Sequence, residues 1–239
     1  RTVSDRSAMP HVIRLTDQFE IVADAERPSV PSRVLKAGDT FAVFNQRGDM
    51  MPHEVGEHGM FFDGTRFLSR LELTLGRSHP ILLSSTITDD NAVFTANLTN
   101  ADARVDDRTV LAHGELHVFR SRLLTGMGLA ERIRVSNFAL HPVEVPVTVS
   151  FDADFADIFE VRGTRRTRRG ETLPARVGSD VTLRYRGLDD VEYRVRLTWS
   201  RTPDDLGPRQ AVFTLMLDPH QTETLELDVT CARTAPMAA

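Results

Sequence analysis

Four carboxylates and three aromatic residues interleave between Phe151 and Arg166. The order is Phe151, Asp152, Asp154, Phe155, Asp157, Phe159 and Glu160, with Arg162, Arg165 and Arg166 following. If the chain stays extended from Phe151 to Phe155, Asp152 and Asp154 share a face with carboxylates ~6–7 Å apart. That falls within the roughly 5–9 Å that glycosidases use for a pair of carboxylates. Asp157 and Glu160 share a face only if the chain turns helical. The competing reading is a satisfied charge network, and it is the favoured one. Arg162, Arg165, Arg166, Arg168 and Arg169 can neutralise every acid that precedes them. Asp154, Asp157, Glu160 and Arg162 are therefore candidates for sugar or domain-interface contacts, and no residue of the chain is assigned a catalytic role.

A second polar knot lies at Asp63, Thr65 and Arg66, inside the block Gly59-Met60-Phe61-Phe62-Asp63-Gly64-Thr65-Arg66-Phe67-Leu68. It reads either as a turn whose Asp holds backbone amides or as a rim in which the Arg66 fork contacts a sugar or another domain. The arginine run 162–169 could bind phosphate, nucleic acid or an acidic surface, but such runs are usually solvated. No aromatic side chain lies within 163–170 to stack a base. The formal net charge of -5 also opposes general nucleic-acid binding.

Other chemistries lack their residues. His113 and His117 would stand ~13 Å apart on a strand. No His-Glu-x-x-His or paired-Cys pattern exists, so no metal site is expected. Gly126-Met127-Gly128 lacks a third glycine, and Ser84-Ser85 lacks the glycines of a nucleophile elbow. No cofactor is expected. Cys231 is the single cysteine, so no disulfide can form within the chain, which fits a reducing, cytoplasmic setting. No apolar run reaches the ~18 residues needed to span a bilayer, and no membrane partner is expected.

The elements that must position these side chains alternate with period two. Val143, Val145, Val147, Val149 and Phe151 alternate with Glu144, Pro146, Thr148 and Ser150. Leu71–Leu75, Tyr193–Trp199 and Leu225–Val229 follow the same rule, each a strand with one buried and one wet face. Pro146 on a wet face predicts an edge strand or a bulge. Turn signals every ~8–12 residues predict an antiparallel sandwich or barrel. Helical turns are expected at most near 101–108 or 204–207. Segments 25–32 and 232–239 read as connectors.

The blocks Gly59–Leu71, Ser84-Ser85-Thr86 with Asp89-Asp90-Asn91, and Phe151–Asp157 with Phe159–Gly163 together resemble one family. It is the N-terminal domain of bacterial glycogen-debranching, amylo-α-1,6-glucosidase-like proteins, and the resemblance runs from about Val34 to Val229. It implies an all-β, large antiparallel β-sandwich, supersandwich-like, with few or no helices. It also implies an N-terminal arm at 1–33, a sandwich at 34–230, and a tail at 231–239 leading to an (α/α)6 barrel. That barrel would carry the catalytic acid and base and be this domain's partner, with an α-glucan as substrate of the parent. The alternatives are a free-standing glycan-binding module, which wants exposed aromatic platforms, and a self-contained glycosidase using the 152–160 carboxylates.

Circular dichroism should show a β-sheet spectrum with little helical signal. A helix-dominated spectrum would end the sandwich reading.

Overall fold

The computed structural model describes residues 13–15, 19–21, 31–51, 56–105 and 108–234. The chain divides into a short unit, Arg1–Val30, and a large one, Pro31–Ala239. In the first, β1 (Ile13–Leu15) pairs antiparallel with β2 (Phe19–Ile21).

The large unit opens with a four-stranded meander of β3 (Arg33–Ala37), β4 (Thr40–Phe44), β5 (Gly59–Phe62) and β6 (Thr65–Leu68). After Ser69 comes β7 (Arg70–Leu75), then β8 (Ile81–Ile87) and β9 (Val93–Thr99). A small separate hairpin, β10 (Ala103–Val105) with β11 (Arg108–Leu111), precedes β12 (Leu116–Thr125), β13 (Gly128–Asn137) and β14 (Val143–Asp152). A one-turn helix α1 (Ile158–Val161) follows. The remainder is β15 (Glu171–Val177), β16 (Val181–Arg186), β17 (Glu192–Trp199), β18 (Asp205–Leu206), β19 (Gln210–Leu217) and β20 (Thr222–Thr234).

Eight strands form one antiparallel sheet in the order β15-β16-β17-β20-β13-β12-β9-β8, and four form another in the order β18-β19-β14-β7. The alternation legible in the sequence decides which faces meet. On β14, Val143, Val145, Val147, Val149 and Phe151 are buried. They join Phe94, Leu98, Val118, Leu225 and Leu227 from the eight-stranded sheet and Phe44, Met60 and Phe67 from the meander in one apolar cluster. Fully burying each such side chain stabilises the fold by about 1.5–3 kcal/mol. The chain is thus an antiparallel β-sandwich with a single short helix among the described residues, as its alternation predicts.

Several local expectations fail for identifiable reasons. Pro146 lies on an inner strand, because β14 pairs with both β19 and β7. It is tolerated there without a bulge, because the β7 ladder begins only at Val147, beside the turn where Gly76 donates to the Pro146 carbonyl. Helical turns are absent from 103–105, 108–111 and 205–206, which are strands. The helix forms instead at 158–161, where Asp157 and Glu160 make a capping box. The final strand outlasts its apolar alternation. β20 runs to Thr234, with Ala232, Arg233 and Thr234 opposite Arg194, Tyr193 and Glu192. The connector expected from 232 therefore begins with strand, and 235–239 lie outside the described residues, as do 22–30. Cys231 is buried, and burial pushes its thiol up to about 12.

Charge also sits inside the sandwich. Arg120 and Arg122 on β12 and Glu131 on β13 point inward and are essentially sealed from solvent, as is Asp49 from the β4–β5 connection. Arg120 donates from Nε to Glu131 at 2.7 Å and from Nη1 to Asp49 at 2.6 Å. Arg122 donates from Nη2 to Glu131 at 2.8 Å and lies 4.7 Å over the Phe44 ring. Its Nε and Nη1 have no hydrogen-bond partner among the described residues. Burial opposes the charge on both carboxylates. The neighbouring guanidinium groups more than reverse this, and both groups stay below their ordinary values.

Replacing Glu131 by Gln leaves the buried Arg122 without a carboxylate partner and Arg120 with Asp49 alone, and should destabilise the chain by about 3–5 kcal/mol, read as a fall in denaturant midpoint. The two depressed carboxylates also set a pH dependence. Their contribution is fully present above the unfolded values of 3.8 and 4.5 and is lost as pH falls through the lower folded values. Acid titration of the native chain should show cooperative unfolding below pH ~4 that is shifted to higher pH in Asp49→Asn.

Candidate functional site

The two polar segments singled out in the sequence meet in space. Asp63 and Gly64, both at positive φ, make the two-residue turn between β5 and β6, which an Asp-Gly pair favours. The chain after β14 then docks along β6. Arg66 N donates to the Ala156 carbonyl at 2.8 Å, Ile158 N to the Gly64 carbonyl at 2.9 Å, and Thr65 bridges Asp157. The extended path stops at Asp152, and Phe155 takes a φ of 49°, which is unusual for a bulky residue. The expected Asp152–Asp154 pair on one strand face is therefore not formed. Burial of the Phe155 ring against Phe67 (5.7 Å) and Tyr185 (5.5 Å, 10° between planes) offsets the strained backbone.

Each acid has an arginine, and the partner is often remote in sequence. Arg66 grips Asp154 through Nε at 3.1 Å and Nη2 at 2.5 Å, while its Nη1 donates to the carbonyls of Gly56 and His58. Arg66 is almost wholly buried, and Gly59 makes room for its stem, because a Cβ at 59 would stand 2.4 Å from Arg66 Cδ. Asp152 faces Arg209 at 3.6 Å. Asp157 caps α1 through Phe159 N and meets Arg166 at 3.1 Å. Glu160 donates nothing but accepts from Asp157 N at 3.0 Å and lies 3.6 Å from Arg166 and 3.3 Å from Arg169. Asp63 pairs with Arg233, whose guanidinium lies 5.7 Å over the Phe62 ring. Arg162, Arg165 and Arg168 are exposed and have no ion-pair partner among the described residues. Among the described residues no three His, Cys, Asp or Glu side chains converge on a metal-sized site, and no helix is long and apolar enough to cross a membrane.

Beside this network lies a recess of about 300 Å³ lined by Thr65, Phe155, Asp157, Tyr185, Asp189 and Tyr193, with Arg166 and Arg169 at its edge. Tyr185, Tyr193 and Asp189 were not legible as site residues. β16 and β17 bring them in from about thirty residues downstream, and only the sheet order puts them next to Phe155.

The fold, the rim and the linear blocks point one way. The family model for the N-terminal domain of (some) glycogen debranching enzymes matches residues 35–228. The chain belongs to that family. No curated protein sequence matches it. Among solved structures, a protein of Synechocystis sp. PCC 6803 matches with a TM-score of 0.52 at 8% identity, over 90% of this chain and 99% of that one. A human-microbiome protein provisionally described as a kojibiose phosphorylase matches with a TM-score of 0.50 at 10% identity, over 84% of this chain and 30% of that one. At such identities the likeness is one of fold. The debranching-enzyme N-terminal domain described here spans less than a third of the second structure.

The two halves of the charge network should separate in mutagenesis. Asp154→Asn unpairs a buried Arg66 and should cost about 3 kcal/mol. The double change Asp157→Asn with Glu160→Gln touches half-exposed pairs, keeps the Asn cap, and should cost about 1 kcal/mol or less. Equal costs for the two variants would show that the rim is one cooperative unit.

Proposed function

We propose that this debranching-family domain is non-catalytic, and that it packs on the catalytic domain of a parent glycoside hydrolase and borders the α-glucan cleft there. The observation that carries the reading is the pairing of Asp152, Asp154, Asp157 and Glu160 with arginines. Each of these carboxylates is engaged by a guanidinium at 2.5–3.6 Å, and such charge-assisted pairs fix the geometry of the segments that carry them. On this reading the acids serve as struts. What they hold up is the segment 159–169, where Phe159 is 63% exposed and Arg162, Arg165 and Arg168 carry uncompensated charge. An exposed aromatic among free arginines suits an interface with an acidic rim, since Phe and Arg are enriched in such contacts.

The domain alone should release no glucose from α-1,4- or α-1,6-linked glucans. In the parent protein, Arg165→Glu with Arg168→Glu should lower turnover on branched glucan about tenfold, equivalent to ~1.4 kcal/mol. The same pair should leave the melting of the isolated chain unchanged, because both residues are exposed. Glucose release by the isolated chain that disappears in Asp157→Asn would overturn this reading in favour of a self-contained glycosidase.

A further inference from the structure

The recess beside Phe155 has features that the packing role does not use. Its floor is an aromatic corner. Tyr185 stacks on Phe155 with one face, and the Tyr193 ring stands 6.1 Å away at 60°. The Tyr185 hydroxyl is held in place, since Gly170 N donates to its Oη at 2.6 Å, and Arg233 stands opposite Tyr193 on the neighbouring strand. The walls are charged but closed on themselves. Asp157 is paired with Arg166 and the neighbouring Glu160 with Arg169, so these charges are matched among themselves. Asp189 is the exception. Its Oδ1 accepts only from Val191 N at 3.2 Å, and the side chain is exposed. Gly187 leaves room for it, because a Cβ at 187 would lie 2.3 Å from Asp189 Oδ1.

A rigid aromatic surface, neutral ion pairs and one open carboxylate acceptor suit a neutral polyhydroxylated ring. The apolar C–H face of a pyranose can lie on the rings while its hydroxyls donate to Asp189 and accept from Arg166. We propose that this recess is a saccharide subsite that takes one pyranose unit of an α-glucan chain. The choice of an α-glucan rests on the function proposed above. The recess as a sugar site rests on its own geometry.

The test uses the full chain in affinity electrophoresis through glycogen and in calorimetric titration with maltotetraose and, separately, cellotetraose. The native chain should be retarded by glycogen and bind maltotetraose. Asp189→Ala and Arg166→Ala should each weaken binding about tenfold with the circular dichroism spectrum unchanged. A control groove on the outer face of the eight-stranded sheet, lined by Arg132, Glu226 and Asp228, should be silent, so Asp228→Ala should bind as the native chain does. Absence of binding to both tetrasaccharides and to glycogen would overturn the proposal, as would binding lost in Asp228→Ala and retained in Asp189→Ala. Binding of cellotetraose alone, lost in Asp189→Ala, would uphold the recess as a sugar site and overturn the α-glucan reading.

Discussion

The ion pair between Asp49 and Arg120 is the constraint on which the two layers depend. Asp49 belongs to the β4–β5 connection within the meander, and Arg120 stands on the inner face of the eight-stranded sheet. The same carboxylate accepts from Leu73 N at 3.2 Å, so one buried group ties the meander, β7 and the large sheet together. Water cannot replace any of these partners, and each charge is tolerated only while the others are present. Apolar contacts supply most of the driving force for the sandwich. They are non-directional and would permit the sheets to slide. A buried charge with fixed partners does not, and here it selects one register between layers.

The rim follows the same logic at lower stakes. Once the layers are in register, the end of β14 lies next to the start of β6, and Asp154 falls within reach of the Arg66 fork. The chain must turn to exploit that contact, and the left-handed residue at Phe155 is where it turns. The ring of Phe155 then closes the core and forms one wall of the recess. The acids beyond it are paired with arginines, which gives this surface rigidity. In the packing role proposed above, a segment stiffened in this way would present Phe159 and the free arginines without a large ordering cost on contact. Membership of the debranching-enzyme family and the closed ion pairs are the two observations on which the proposed supporting role rests.

The period-two alternation of β7, β14, β17 and β20, the all-β class and the family were legible in the residues themselves, because strand faces and turn chemistry are local properties. From the sequence, Asp157 and Glu160 are only a pair that shares a face if the chain turns helical; the capping box they form emerged from the structure. Arg120 and Arg122 take inward positions between Val118 and Leu124, buried charge that was not anticipated from the sequence. What no local pattern could supply was the pairing across distance. Arg66 with Asp154, Asp63 with Arg233, and Tyr185 and Tyr193 with Phe155 are separated by dozens of residues. Their meeting depends on strand order within the sheets and on the register between layers. The sequence alone determined which residues could bury, turn or carry charge. The tertiary structure decided which charges cancel and which aromatic faces line a cavity, because those are properties of neighbours in space, and electrostatic pairing and packing act over a few ångströms whatever the separation along the chain.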